Sequence, residues 1–122
     1  MFGFFKKKKT LKELIPQNFI DIHSHLLYGL DDGSKSLQES QSLIADLKAF
    51  GFTQFITTPH TTPLVWENTK DQILDQYGKV RSELNMSESE LRVASEYLID
   101  DSFLKRLENE KLLTVKDNYV LI

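Results

Sequence analysis

The chain has 122 residues, 40% of them hydrophobic, and its net charge is −3. This length and composition predict one globular domain rather than a disordered segment, and no apolar run reaches the roughly 18–20 residues that a membrane helix needs. The absence of cysteine excludes disulfides, thiolate nucleophiles and cysteine zinc sites, so any metal site must use His, Asp and Glu.

Residues 1–17 are predicted to be a basic arm followed by a short helix over 10–17 that stops near Pro16. Four lysines are consecutive: Lys6, Lys7, Lys8 and Lys9. Apolar residues precede these charges, the reverse of a secretory signal, so we expect a cytoplasmic protein. Removing the four charges leaves −7 on the rest of the chain, which gives no nucleic-acid footprint. The lysines are expected to be solvated, or to touch an anionic surface weakly without membrane insertion, at about 1 kcal/mol each.

The remaining chain predicts four strands that alternate with three helices. Strands are expected over 18–25, 52–60, 91–100 and 118–122, the first of them buried, with helices over 36–51, 68–84 and 101–111. Ser36, with Glu39 in a capping box, should begin the first of these helices and Gly51 should end it. Asn68 or Thr69 should cap the second helix, and Asp101 or Ser102 the third.

This alternation indicates an α/β fold with a parallel sheet, either open or rolled into a barrel. Four strands are too few for a barrel of the usual kind, which takes about eight. In parallel α/β folds the functional face lies at the C-terminal ends of the strands. The unusual polar residues of this sequence fall at or just after those ends.

The stretch "FIDIHSHLLYGLDDGS" places His23 and His25 at the predicted end of the first strand, and Asp31 and Asp32 in the loop that follows. Residues i and i+2 of a strand point to the same face, so both imidazoles can reach one metal ion or two adjacent ions. A carboxylate from the next loop adds negative charge and can bridge ions. The predicted second strand ends in "PH" at His60, and Glu96 lies in the third.

Several of these residues also have simpler interpretations. A single histidine such as His60 is more often a capping or core residue, and Asp31-Asp32-Gly33 alone would be an ordinary turn. Glu96 alone would be a solvated charge. Trp66 and Tyr97 are expected to be packing residues or the rim of a pocket. Ser24 lacks the GxSxG context of a hydrolase nucleophile.

Three stretches, "DIHSHLLYGLDDGSKSLQES", "FITTPH" and "ASEYLIDDSF…LLTVKDNYVLI", together resemble the PHP (polymerase and histidinol phosphatase) superfamily. Within it they look like the bacterial manganese-dependent tyrosine-protein phosphatases of capsule and exopolysaccharide operons. The resemblance covers residues 18–122, interpreted as a partial PHP domain. Family members are about twice as long, and their later histidines, D-x-H pair and phosphate-holding arginines have no counterpart in this sequence.

The resemblance implies the first half of a distorted (β/α)7 barrel. It also implies about three metal ions, usually Mn²⁺, on ligands that suit Fe, Zn or Mg as well. The implied metal ligands, acting in catalysis through a metal-bound hydroxide, are His23, His25, Asp32, His60 and Glu96. Clustered metals lower the pKa of a bridging water and neutralise phosphate charge.

The implied substrate is phosphotyrosine on the tail of a bacterial tyrosine kinase. Two alternatives remain. The chain could belong to another PHP phosphoesterase, acting on histidinol phosphate or a nucleotide, or it could be a non-catalytic remnant that binds a kinase tail or a partner subunit. Activity is expected only when the absent half of the domain is supplied.

Overall fold

The computed structural model describes residues 7–122. Residues 1–6 of the predicted basic arm, including Lys6, lie outside the described residues. Lys7, Lys8 and Lys9 are exposed and lie outside helices and strands. A short helix follows them, as predicted, and its first turn is held by the carboxylate of Glu13, which accepts a hydrogen bond from the Thr10 N–H at 2.7 Å. Within residues 7–122, every helix is too short or too polar to cross a lipid bilayer.

Nine elements follow one another along the described chain, and they confirm an α/β fold with parallel strands. In chain order they are α1 (Leu11–Leu14), β1 (Phe19–Asp21), α2 (Leu37–Phe50), β2 (Phe52–Thr57), β3 (His60–Thr61), α3 (Lys70–Glu83), β4 (Leu91–Val93), β5 (Glu96–Tyr97) and α4 (Asp101–Asn109). The parallel strands β1, β2 and β4 form one sheet in the order β1-β2-β4, and β3 pairs with β5 in a second parallel sheet.

Helix α2 begins and ends where the sequence predicts. The Ser36 hydroxyl accepts a hydrogen bond from the Glu39 N–H, and Gly51 ends the helix in the left-handed region with φ of 112°. The Glu39 carboxylate accepts from the Lys35 N–H rather than from that of Ser36, so the reciprocal half of the capping box is displaced by one residue. The helix is thereby fixed directly after the acidic loop that contains Asp31 and Asp32.

The predicted N-terminal cap is confirmed for helix α3 and wrong for helix α4. Thr69 caps α3 and exchanges hydrogen bonds with Gln72, as one of the two predicted alternatives requires. The cap of α4 is Asp100, so the prediction of Asp101 or Ser102 was wrong. Asp100 accepts from the Ser102 hydroxyl and the Phe103 N–H, and these hydrogen bonds hold the pKa of its carboxyl group below the usual range.

The second and third predicted strands are each divided into two short strands. β2 ends at Thr57, the chain turns at Thr58-Pro59, and His60 begins β3 instead of closing the earlier strand. Proline has no N–H to donate to a ladder, which favours a break at this point. The third predicted strand is also interrupted, at Ala94-Ser95, without a proline. The breaks shift pairing from the main sheet to the small β3–β5 sheet.

The predicted strand over 118–122 was wrong. The Val115 N–H donates to the Tyr119 carbonyl, and the Tyr119 N–H donates to the Lys116 carbonyl. These hydrogen bonds close a turn in which Asp117 lies in the left-handed region at φ of 48°. That turn uses the backbone groups that a longer strand would need. Only Leu121 continues the parallel pairing, through a single bridge to Glu96, and its carbonyl accepts from the Tyr97 N–H at 3.0 Å.

The hydrophobic core lies between the main sheet and helices α2 and α3. It has two clusters, one of Leu26, Ile44, Phe55, Met86 and Leu91, the other of Leu27, Ile73, Val80 and Leu113. Leu26 and Leu27 are adjacent in the loop after β1 and enter different clusters, which anchors that loop at both sides. The prediction of a buried first strand was wrong: β1 pairs only with β2 in the described chain, and Phe19 and Ile20 are exposed.

Candidate metal centre

The segment that contains His23 and His25 is attached to the end of β2. The Thr57 hydroxyl accepts from the Leu26 N–H and donates to the Ser24 carbonyl, both at 2.9 Å. The Thr58 N–H donates to the same Ser24 carbonyl at 2.7 Å. β1 ends at Asp21, so both histidines follow the strand instead of lying on it. The three hydrogen bonds, and not the backbone pairing of a longer β1, therefore orient the two histidines.

The small β3–β5 sheet places His60 directly opposite Glu96. The two residues are Cα partners in this parallel pair, so their side chains emerge on the same face. Behind them, the buried hydroxyls of Thr61 and Ser95 contact each other at 2.7 Å, and the Ser95 hydroxyl donates to the Pro59 carbonyl. His60 and Glu96 therefore lie on the face opposite this buried pair of hydroxyls.

A first group of possible metal ligands consists of His23, His25 and Glu96. One carboxylate oxygen, Glu96 Oε2, lies 3.0 Å from His23 Nε2 and 3.2 Å from His25 Nε2. The same oxygen lies 3.5 Å from Nδ1 of His60. Glu96 is thus central to all three histidines of the chain.

A second possible group consists of His25, Asp32 and His60. Asp32 Oδ1 lies 3.5 Å from His60 Nε2 and 3.9 Å from His25 Nδ1. The rings of His25 and His60 lie 4.6 Å apart between centroids. The structure therefore brings all five residues singled out by the sequence into one cluster. Their individual roles as ligands stay a prediction.

Asp31, the first residue of the aspartate pair, makes contacts that the sequence did not indicate. Its side chain is fully buried, whereas that of Asp32 is 60% exposed. Asp31 Oδ2 contacts His25 Nδ1 at 2.8 Å and accepts from the His60 N–H at 2.9 Å. Asp31 Oδ1 accepts from the Gly33 N–H at 2.9 Å, which is the turn that the sequence did predict.

Gly33 allows this loop to close against His25. A Cβ atom at this position would lie 2.3 Å from the Cβ of His25 and 2.5 Å from its carbonyl oxygen. These distances are far below van der Waals contact, so any larger residue would displace His25 or the loop.

The contact between His25 and Asp31 changes the pKa of both side chains. The hydrogen bond to Asp31 raises the pKa of the His25 imidazole, although partial burial acts in the opposite direction. Burial alone would raise the pKa of the Asp31 carboxyl group. Hydrogen bonds from His25 and from the N–H groups of His60 and Gly33 outweigh that effect, and the pKa is lowered. Asp31 is therefore held as an ionised hydrogen-bond acceptor.

Trp66 and Asn68 support the other side of the centre. The Trp66 indole stacks on the His60 imidazole with centroids 4.7 Å apart and an interplanar angle of 11°. The Asn68 amide donates to the carbonyl groups of Leu30 and His60, both at 2.9 Å, so one side chain joins the loop after β1 to the start of β3. Tyr97, the other predicted packing residue, is buried against Phe103 and accepts from the Leu113 N–H.

The donor set suits a divalent transition metal. Imidazole nitrogens and carboxylate oxygens bind Zn, Fe and Mn, and no thiolate is available to select softer ions. In each group the candidate ligand atoms lie within 4.8 Å of one another. Glu96 of the first group lies 3.5 Å from His60 of the second, so ions bound to the two groups would be close neighbours, as in metal centres that hold a phosphoryl group between two ions.

Two curated proteins are similar in sequence to this chain. The chain is 31% identical over 106 residues to tyrosine-protein phosphatase CpsB of Streptococcus pneumoniae, covering 84% of this chain and 44% of that protein. It is 29% identical over 100 residues to the CpsB protein of Streptococcus agalactiae, covering 80% and 41%. The chain thus spans less than half the length of these curated relatives.

The structure and a family model lead to the same group of proteins. A chain from the crystal structures of YwqE from Bacillus subtilis and CpsB from Streptococcus pneumoniae, described as unique metal-dependent tyrosine phosphatases, matches with a TM-score of 0.72. That match has 26% identity and covers 85% of this chain and 43% of the other. The family model for capsular polysaccharide synthesis proteins CpsB/CapC matches residues 19–122. The chain belongs to the CpsB/CapC family of capsular polysaccharide synthesis proteins.

Proposed function

We propose that this chain carries part of the metal centre of a metal-dependent protein-tyrosine phosphatase. The observation that carries the proposal is the position of Glu96 Oε2, within 3.5 Å of a nitrogen of His23, His25 and His60. Such an arrangement of three imidazoles around one carboxylate suits a bridged metal site better than a solvated surface cluster. Family membership and relatives named as tyrosine-protein phosphatases support the reaction class.

In this proposal His23, His25, Asp32, His60 and Glu96 are the ligands. Bound divalent ions at such a centre supply a hydroxide near neutral pH and neutralise phosphate charge. Glu96 bridges the two ligand groups from β5, and Asp32 supplies charge from the exposed side of the centre. His60 keeps its ring orientation through the stack with Trp66.

We propose phosphotyrosine on the tail of a bacterial tyrosine kinase as the substrate, Mn²⁺ as the metal and the cytoplasm as the compartment. The capsule-synthesis family and the names of the relatives support this substrate. The chain spans less than half the length of the relatives that it matches. Hydrolysis is therefore proposed for the centre completed by a sequence like the remaining part of the relatives.

Elemental analysis after Mn²⁺ loading and desalting tests the metal centre directly. The 122-residue chain should retain Mn²⁺, and the His23→Ala/His25→Ala double variant should lose it. Glu96→Gln, which removes the central carboxylate charge, should also weaken retention of Mn²⁺. Its matched control is Glu108→Gln, which removes a carboxylate charge at an exposed position of α4. Glu108→Gln should retain metal as the unmodified chain does.

A chimera tests the reaction. Residues 19–122 would replace the matching part of Streptococcus pneumoniae CpsB, and hydrolysis of a phosphotyrosine peptide and of histidinol phosphate would be compared. We expect Mn²⁺-dependent hydrolysis of the phosphotyrosine peptide that is lost in the double histidine variant. Preference for histidinol phosphate would favour another phosphoesterase. Phosphopeptide binding without hydrolysis that survives both histidine substitutions would instead indicate a non-catalytic binding protein.

A further inference from the structure

We propose that Asp31 is a positioning residue that fixes His25 with Nε2 as its metal-ligating atom and sets the distance between the two ligand groups. This inference rests on the proposed metal centre. It concerns a residue that is not itself among the proposed ligands, since both of its carboxylate oxygens are engaged by the protein.

The protein contacts both carboxylate oxygens of Asp31. Oδ2 contacts His25 Nδ1 and accepts from the His60 N–H, while Oδ1 accepts from the Gly33 N–H. The side chain is fully buried. A buried carboxylate with three such partners is fixed in orientation, since the loss of any one hydrogen bond would leave a buried polar group unsatisfied.

These contacts determine the tautomer of neutral His25. Both oxygens of Asp31 accept backbone N–H groups, so this carboxylate is also the acceptor toward His25, and the proton of the neutral imidazole lies on Nδ1. The lone pair is then on Nε2, which lies 3.2 Å from Glu96 Oε2. His25 therefore offers its ligand atom to the group with His23 and Glu96. Its Nδ1, the atom 3.9 Å from Asp32, has no lone pair to offer.

The same carboxylate joins two segments that are far apart in sequence. His25 follows β1, whereas the His60 N–H belongs to β3. Because Asp31 Oδ2 contacts both, any displacement of its side chain moves His25 relative to His60 and Glu96. The close packing of Gly33 against His25 removes room for such movement. Groups that orient a metal-ligating histidine through its second nitrogen have this effect in other metal proteins.

Nitrogen-15 NMR of the 122-residue chain tests the tautomer without any substitution. In the metal-free chain at a pH where His25 is neutral, we expect Nδ1 to be protonated and Nε2 to be unprotonated. Zn²⁺, which is diamagnetic, should then shift the Nε2 resonance. The spectrum of His25→Gln identifies the signals. A neutral His25 protonated on Nε2, or Zn²⁺ binding through Nδ1, would overturn the proposal.

Calorimetric titration with Mn²⁺ and Zn²⁺ measures the effect of Asp31 on binding. Asp31→Asn should weaken metal affinity by about 10- to 100-fold, and Asp46→Asn, at an exposed position of α2, should leave it unchanged. Unchanged affinity in a folded Asp31→Asn variant would overturn the inference. If that variant does not fold, the tautomer of the unmodified chain decides the question.

The two proposals fail in different ways. A chain that shows the Nδ1-protonated tautomer but binds neither ion overturns the proposed metal centre and leaves the orientation of His25 correct. A chain that binds both ions through the other nitrogen of His25 overturns the role of Asp31 and leaves the metal centre intact.

Discussion

The two groups of candidate ligands are held by different parts of the fold. In the group of His23, His25 and Glu96, the carboxylate comes from a strand whose register is fixed by pairing with β3. In the group of His25, Asp32 and His60, the carboxylate comes from a turn and is 60% exposed. A ligand on a paired strand is preorganised before an ion arrives, whereas an exposed turn ligand must be ordered by it. We therefore expect the first group to bind metal more tightly.

The largest expected effect is that of His25→Ala, because His25 Nε2 lies 3.2 Å from the central Glu96 carboxylate and its Nδ1 contacts Asp31. The substitution also removes the contact that engages the buried Asp31. We expect the retained Mn²⁺, measured by elemental analysis after desalting, to fall to background. Retention equal to that of the unmodified chain would show that the centre does not depend on His25.

Glu96→Gln should have the next largest effect. The change keeps the shape of the side chain but removes the charge that lies within 3.5 Å of all three histidines. Mn²⁺ affinity measured by calorimetry should fall by more than the about 10- to 100-fold typical of residues that only support a ligand. Glu108→Gln serves as the control, and equal affinities for the two variants would contradict the central position of Glu96.

Asp32→Asn should separate the two groups. The first group does not use Asp32, so the variant should still bind metal tightly, at a lower stoichiometry than the unmodified chain. Titration followed by elemental analysis would show this as the loss of the weaker sites alone. Loss of the tight site would mean that metal binding depends more on Asp32 in the exposed turn than on Glu96 in the paired strand.

Trp66→Leu should have the smallest effect of the series. Stacking between aromatic rings contributes about 0.5–1.5 kcal/mol, so the substitution should weaken metal binding by about 2- to 10-fold. The effect should be confined to the second group, because Trp66 contacts His60 and not His23. Trp66→Phe should recover part of the lost affinity. Equal losses of affinity in the Leu and Phe variants would contradict a role of Trp66 through aromatic stacking on His60.

Much of the fold was predictable because local chemistry determines it. Ser36, Thr69 and Gly51 delimit their helices through hydrogen bonds and backbone conformations available within a few residues. The alternation of helices and strands correctly indicated parallel pairing. Clustering of the five polar residues followed from the same topology, since the ends of parallel strands meet at one edge.

Long-range packing determined what could not be predicted. Burial of Asp31 and exposure of Asp32 depend on His25 and His60, and nothing in the adjacent pair "DD" distinguishes them. The exposure of β1 depends on strand order, which residue type does not reveal. The break at Pro59 did have a signal, because a proline inside an apolar run argues against a continuous strand.

The proposed ligands come from three segments, with His60 lying 37 residues after His23 and 36 residues before Glu96. An unfolded chain cannot hold these side chains together, so an ion would bind the folded state in preference. At a free concentration of 100 times the dissociation constant, such binding would add about 2.7 kcal/mol to the free energy of unfolding. Metal supply would then govern the lifetime of the folded chain against proteolysis as well as its chemistry.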